Sequence, residues 1–141
     1  MIPFFTYDEL KCKGSGLVRL DPRFADELVD LRRTVGYPLN PSSVCRNPAH
    51  NRKVRGHKRS LHLTEPYHDK LDGTCAADLK WRSWNTAKKL AFCKVAWAKG
   101  WSIGLHVAFV HIDMRILAGL PQHIFLYGRW EGAFNASDIR G

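Results

Sequence analysis

The sequence predicts an α+β fold in which a small, mostly antiparallel sheet packs against two main helices. Two segments have the capping residues and apolar spacing of helices, and several short apolar segments have the composition of strands. The 141 residues are enough for one core of ordinary size but not for a second full domain. We therefore expect residues 1–141 to form a single domain.

Both helices are predicted from the residues at their ends. The first follows Asp21, a common N-cap residue, and ends at Gly36, with apolar residues at helical spacing between them. The second begins at Ser83 or Asn85 and ends at Gly100, and its alanine, leucine and tryptophan residues form a broad apolar face. These helices are expected to pack on the sheet.

Five segments are predicted to be extended or to form strands, and the last two are joined by a tight connection near His106. A polar, basic loop, Arg46–Lys58, separates the first two segments. The five segments are Pro38–Ser43, Ser60–Leu63, Ala76–Leu79, Trp101–Leu105 and Val107–Met114.

The net charge of +9 is concentrated in this basic loop, which has no acidic residue. Such a surface attracts polyanions, and the candidates are nucleic acid, an anionic membrane surface and an acidic cell-wall polymer. A solvated surface that only aids solubility is an equally simple explanation. The loop has no interleaved aromatic residues that could stack on bases, so we expect no nucleic-acid partner. Its basic residues are Arg46, Arg52, Lys53, Arg55 and Lys58.

The N-terminal residues lack the basic start and apolar core of a secretory signal, so we expect synthesis and accumulation in a cytoplasm. The most apolar region, residues 100–120, contains histidine, aspartate and arginine, which argues against stable insertion into a membrane. The four cysteines form no C-x-x-C pair, so we expect free and mostly buried thiols.

Three polar residues in apolar surroundings indicate a metal site. His111 and Asp113 are two residues apart, so on a strand they share one face, and Asp78 also lies within an apolar segment. Burying such groups without partners would cost several kcal/mol. His62, His111 and Asp78 together provide two imidazoles and a carboxylate, which leave a coordination position open, as catalytic zinc sites do.

Three motifs in order carry a family resemblance. They are N-x-x-V-x-G-x-x-x-S-x-H at residues 51–62, G-x-x-A-A-D at 73–78 and F-V-H-I-D-x-R at 109–115. Together they resemble the M15 zinc peptidases of D-Ala-D-Ala carboxypeptidase type, and most closely the short single-domain members that bacteriophages encode as peptidoglycan-degrading endolysins. The resemblance extends from residue 5 to residue 130.

The resemblance implies a hedgehog/DD-peptidase-like zinc fold with one Zn²⁺ per chain, held by His62, Asp78 and His111. It also implies that Arg46 lies near the carbonyl or carboxylate of the substrate. A guanidinium suits this position because its rigid fork of donors matches a carboxylate or a developing oxyanion. Ser60 is expected to orient His62 or its backbone.

Two departures from the family pattern concern the site. Asp78 follows His62 by sixteen residues, more than the family usually has, so residues 64–72 look like an inserted loop. This loop brings His68 and Asp69, either of which could replace an assigned ligand. The second departure is Ala108, which stands where many members have an acidic residue or histidine.

Because of Ala108, the general base must lie elsewhere. Asp113 is our first candidate because it shares a strand face with His111, and His106 at the strand connection is the second.

These features predict a monomeric zinc peptidase that cuts peptidoglycan stem peptides, either between L-Ala and D-Glu or at a D-Ala terminus. An endolysin would accumulate in the host cytoplasm and act on the cell wall at lysis. The alternative is a non-catalytic, zinc-containing module that binds cell wall or a protein partner. This alternative rests on Ala108, because an alanine there cannot act as the general base.

Overall fold

A computed structural model describes residues 2–141, and its centre is a five-stranded sheet with the strand order β1-β2-β4-β3-β5. The strands are β1 (Pro41–Ser43), β2 (Ala76–Lys80), β3 (Ser102–Leu105), β4 (Phe109–Asp113) and β5 (Ile124–Leu126). The helices are α1 (Tyr7–Leu10), α2 (Pro22–Val35), α3 (Pro48–Lys53), α4 (Thr86–Ala98) and α5 (Ala136–Arg140), with a 3₁₀ helix at Arg115–Ala118.

The α+β class is confirmed, but the prediction of a mostly antiparallel sheet needs correction because the sheet is mixed. Strands β1, β2, β4 and β3 pair in antiparallel fashion, whereas β5 runs parallel to β3, with Ile103 opposite Ile124. The geometry of the connection explains this direction. Since β4 is antiparallel to β3, it ends where β3 begins, and a chain that passes this end enters β5 in the direction of β3.

The two main helices begin and end close to their predicted limits. Asp21 caps α2 by accepting a hydrogen bond from the Arg23 amide at 2.9 Å, and Gly36 ends the helix with φ of 78°. Asn85 caps α4 by accepting from the Lys88 amide at 2.8 Å. Both helices contribute to the core beside the sheet.

The core consists of aromatic and aliphatic side chains from the helices and the sheet. Phe24 of α2 meets Trp101 edge-on, with ring centroids 5.8 Å apart. All four cysteines are free and buried, as predicted. Within residues 2–141, no helix has both the length and the apolar composition needed to cross a membrane. The largest fully buried side chains include Trp81, Trp101, Phe24, Phe92, Leu28 and Ile103.

Two local predictions are wrong. The basic segment Arg46–Lys58 is not a simple loop, because Asn47 caps a short helix, α3, through a 2.8 Å bond from the His50 amide. The predicted extended segment Ser60–Leu63 forms a turn, and a single bridge from Leu63 to Arg46 connects it to the sheet region. Polar side-chain bonds within this region, rather than an apolar pattern, determine its conformation.

Candidate metal centre

Three elements bring His62, Asp78 and His111 together. Asp78 in β2 lies directly opposite His111 in β4, because the two strands pair in register, and the turn before β2 supplies His62. The three residues are 4%, 4% and 0% exposed for Asp78, His111 and His62, respectively. One donor atom from each lies within 4.8 Å of the other two, which is compact enough for one shared ion.

A single carboxylate oxygen, Oδ1 of Asp78, is the centre of this cluster. It lies 3.2 Å from Nε2 of His62 and 2.9 Å from Nδ1 of His111. The two imidazole rings meet at an angle of 63°, with centroids 5.3 Å apart. Both rings therefore present one nitrogen to the same point.

The opposite nitrogen of each ring has its own acceptor. Nδ1 of His62 lies 2.8 Å from the carbonyl oxygen of Val44, and Nε2 of His111 lies 2.8 Å from Oδ2 of Asp113. These bonds place the protons of neutral rings on the outer nitrogens, so the inner nitrogens carry lone pairs. Two lone pairs and the Asp78 carboxylate then converge, and a cation such as Zn²⁺ satisfies all three.

The pKa values of the two histidines are shifted in opposite directions. Burial lowers the pKa of His62, which favours the neutral form that binds metals. Burial also opposes the charge on His111, but hydrogen bonds to Asp113 and Asp78 outweigh it and raise its pKa to about 9. A metal ion would take the place of that proton, so the donor set fits zinc.

Arg46 lies on the other side of Asp78 and is held by three acceptors. Its Nη2 is 3.3 Å from Oδ2 of Asp78, its Nε donates to Ser43 Oγ at 3.1 Å, and its Nη1 is 3.5 Å from Asn51 Oδ1. Only 8% of the residue is exposed. The structure thus brings Arg46 to the cluster, where it orients one metal-ligand candidate.

The helix α3 and the turn after it support Arg46 through Asn51. Asn51 Nδ2 donates to the His57 carbonyl at 2.9 Å, which fixes the amide that faces Arg46. A Cβ atom at Gly56 would lie 2.0 Å from Asn51 Oδ1, so only glycine leaves room for this contact. This close approach explains the N-x-x-V-x-G part of the first motif.

The cluster lies within a segment of the chain that matches a known protein family. The peptidase M15 family model matches residues 3–113, a segment that contains all three donors and Arg46. The chain belongs to the peptidase M15 family. Searches of curated proteins and of solved structures each found no match. M15 peptidases are zinc-dependent, and the buried His-Asp-His cluster of this chain can hold such a metal.

In this M15 chain, both carboxylate oxygens of Asp113 have protein partners, and one of them is His111. Arg115 donates from Nε to Oδ1 at 3.0 Å and from Nη2 to Oδ2 at 2.7 Å, and the Arg115 amide also donates to Oδ1 at 3.0 Å. With His111 on Oδ2, both oxygens of Asp113 are engaged, and the residue has no exposed surface. Its contacts are those of a residue that holds His111 in place.

His106 lies at the β3–β4 connection and contacts the cluster only indirectly. Its ring stacks on Phe109 with centroids 4.4 Å apart, and Nδ1 accepts from the Ala108 amide at 2.9 Å. Phe109 in turn meets Tyr127, whose ring stacks on His111 at 4.6 Å. Two aromatic rings therefore connect His106 with His111, and the structure does not bring it into the metal cluster.

A cavity of about 300 Å³ lies beside His111, and two of its lining residues, Phe125 and Tyr127, belong to no motif. Tyr127 stacks on His111, and burial together with the nearby Asp78 raises the pKa of its hydroxyl. Phe125 packs at 5.6 Å from His111. Both residues come from β5 and the segment after it, whose position depends on parallel pairing with β3 and was not visible in the sequence.

The loop of residues 64–72 approaches the cavity without replacing a ligand. His68 lines the cavity, whereas Asp69 is exposed on the surface. The cluster that can hold a metal contains neither residue. Ser60 behaves as expected, since its Oγ accepts a hydrogen bond from the His62 amide at 3.1 Å.

Proposed function

We propose that this protein is a zinc-dependent peptidoglycan peptidase of the endolysin type with a hedgehog/DD-peptidase-like fold. The observation that carries the proposal is the buried cluster of His62, Asp78 and His111 beside an open cavity. The scissile bond joins either L-Ala to D-Glu or the last two D-Ala residues of a stem peptide. The net charge of +9 suits an enzyme that acts on an anionic cell wall.

The three donors would hold one zinc ion, which supplies a Lewis acid for the scissile carbonyl and lowers the pKa of water. The remaining residues prepare this site. The Val44 carbonyl and Asp113 fix the two imidazoles in the ring orientation and tautomer that metal binding needs. This preparation occurs inside a buried cluster, where electrostatic interactions are strong.

Arg46 and His106 are the proposed hydrogen-bond donors toward the substrate. Arg46 keeps further N–H groups beyond its bonds to Ser43, Asn51 and Asp78, and a guanidinium can stabilise a developing oxyanion. Since His106 Nδ1 accepts from an amide, the neutral ring carries its proton on Nε2 and is a donor there. We propose a positioning role for Asp113, because both of its oxygens are already engaged.

The direct test is mass spectrometry of muropeptides released from purified peptidoglycan by the zinc-loaded protein. New termini at L-Ala–D-Glu or at D-Ala–D-Ala would support the proposal and identify the bond. His62→Ala should lose both zinc and turnover, and elemental analysis of the wild type should give about one metal per chain. Absence of new termini with zinc bound, or turnover by His62→Ala without zinc, would contradict it.

Two observations favour a second candidate function without catalysis. Both oxygens of Asp113 already have partners, and Ala108 has no side chain that could accept a proton. If no side chain accepts a proton from water, the chain is a zinc-containing module that binds cell wall without cutting it. Such a protein would sediment with peptidoglycan and release no fragments. The same muropeptide experiment separates the two functions.

A further inference from the structure

The inserted loop, residues 64–72, is fixed to the body of the protein at several points. Arg19 donates to the Thr64 carbonyl at 3.1 Å and forms an ion pair with Asp72 at 2.7 Å. Arg23 donates to the Lys70 carbonyl at 2.7 Å, and Leu71 is buried in the core. These contacts hold both ends of the loop, so we expect its middle residues to keep a defined position.

The middle of this loop forms a platform for an arginine at the rim of the cavity. The guanidinium of Arg59 lies over the ring of Tyr67, 4.8 Å from its centroid. Tyr67 also meets His68 edge-on at 5.4 Å, and His68 lines the same cavity as Arg59. A cation over an aromatic face restricts the arginine side chain and leaves its N–H groups free.

The charges that line the cavity favour an anionic ligand. Asp113 is the one carboxylate in the lining, and His111 and Arg115 already pair with it. Arg59 also lines the cavity and, within residues 2–141, forms no ion pair with a carboxylate. A guanidinium that lies on an aromatic ring and pairs with no carboxylate is therefore available for a carboxylate of the substrate.

Resting on the function proposed above, we infer that Arg59, held by Tyr67, binds the free α-carboxylate of D-Glu in the stem peptide. In a stem peptide whose third residue is L-Lys, this carboxylate is the one acidic side group. A bidentate bond to guanidinium would select it over a carboxamide. Arg59 and Tyr67 are thus specificity-determining residues that lie outside the metal cluster. The inserted loop gives this M15 domain its own means of selection.

Two peptides test the inference: L-Ala-γ-D-Glu-L-Lys-D-Ala-D-Ala with a free α-carboxylate on D-Glu, and the same peptide with an α-carboxamide. The wild type should cleave the acid with the higher kcat/KM. In Arg59→Gln, the ratio of kcat/KM for acid over amide should fall about tenfold, which corresponds to about 1.4 kcal/mol. Tyr67→Leu should lower the ratio by a smaller factor, and Arg59→Lys should retain part of it.

Lys58→Gln is the matched control, because it removes one positive charge from the neighbouring exposed position outside the cavity lining. This variant should keep the wild-type ratio. Equal losses in Lys58→Gln and Arg59→Gln would overturn the inference in favour of general charge attraction. An unchanged ratio in Arg59→Gln, or a wild type that does not discriminate, would also overturn it, and full discrimination in Tyr67→Leu would overturn the role of the ring.

A binding measurement keeps this inference separate from the proposed function. Fluorescently labelled acid and amide peptides are titrated with the zinc-loaded wild type and with Arg59→Gln. If neither peptide is cleaved but the wild type binds the acid more tightly and Arg59→Gln does not, the peptidase proposal fails and the Arg59 site stands. If both peptides are cleaved and bound equally, the Arg59 site fails and the peptidase stands.

Discussion

At the scale of single residues, the hydrogen bonds of Asp113 favour a role in positioning His111 over a role as the general base. Asp113→Asn should weaken zinc affinity about tenfold to a hundredfold, because the carboxylate that holds His111 Nε2 is lost. Competition with a chelating dye measures the affinity, and kcat is measured at saturating zinc. A base would show the opposite pattern, with zinc affinity unchanged and kcat about a hundredfold lower.

Arg46 provides a second prediction at this scale. Arg46→Lys keeps the charge but loses the fork that reaches Ser43, Asn51 and Asp78, so kcat/KM should fall about tenfold to a thousandfold. Arg52→Lys on the exposed face of α3 is the control and should retain wild-type activity. Thermal melting should show that both variants fold. Unchanged turnover in Arg46→Lys would leave this residue with a purely structural role.

Site residues could be predicted from the sequence only where a local motif marks them. The three metal-ligand candidates are polar residues with apolar neighbours, and Ser60 is marked by its fixed place two residues before His62 in the first motif. Tyr127 lies beside a glycine in a segment without such contrast, and its contact with His111 arises from strand pairing over a long distance. The hydrogen bonds from Arg115 to both carboxylate oxygens of Asp113 could not be predicted either, because no sequence pattern indicates how a side chain is oriented after the end of a strand.

At the scale of elements, Asp21 connects the start of α2 to the loop of residues 64–72. Its Oδ2 accepts from the Asp72 amide at 2.9 Å and from Arg23 Nη2 at 2.8 Å. Burial would raise the pKa of Asp21, but the bonds from Arg23 and from the Asp72 amide outweigh it and lower the pKa to about 2. The ionised form therefore stabilises the native state at neutral pH.

The depressed pKa predicts a dependence of stability on pH. The contribution of Asp21 is fully present above its unfolded pKa of 3.8 and is lost as pH falls toward 2. Asp21→Asn should lower the free energy of unfolding by about 1 kcal/mol at pH 7, while still capping the helix. Urea denaturation from pH 7 to pH 2 should show the two proteins converging at low pH. A constant difference across this range would contradict the linkage.

Elements with clear ends were predictable, and elements defined by distant partners were not. Asp21 and Gly36 delimit α2 through local bonds, so their sequence signals hold in the structure. The three-residue strand β5 has no such limits and exists because β3 offers it an edge. Helix α3 is an intermediate case, since Asn47 followed by a proline was a usable capping signal within the basic segment.

At the scale of the whole molecule, metal binding should contribute to stability. The cluster links β2, β4 and the turn that carries His62, so zinc would join elements that are distant along the chain. A free zinc concentration one hundred times the Kd should stabilise the native state by about 2.7 kcal/mol. Differential scanning calorimetry with a chelator, and then with added zinc, should show a lower Tm followed by recovery.

His111→Ala is the appropriate variant for this comparison, because it removes one donor from the cluster. Its Tm should respond much less to zinc than that of the wild type. An equal rise of Tm with zinc in both proteins would indicate that zinc binds elsewhere, and the cluster would not be the zinc site.

The register of β2 with β4 also determines when the metal site can form during protein synthesis. Asp78 and His111 are separated by 33 residues along the chain, so the ribosome completes one strand well before its partner appears. An incomplete chain has His62 and Asp78 but not the third donor, and it lacks β5, which pairs with β3 and packs against His111 through Phe125. Zinc loading is therefore expected only after His111 and β5 have been synthesised. Before His111 is added, the chain has two of the three donors and no complete metal cluster.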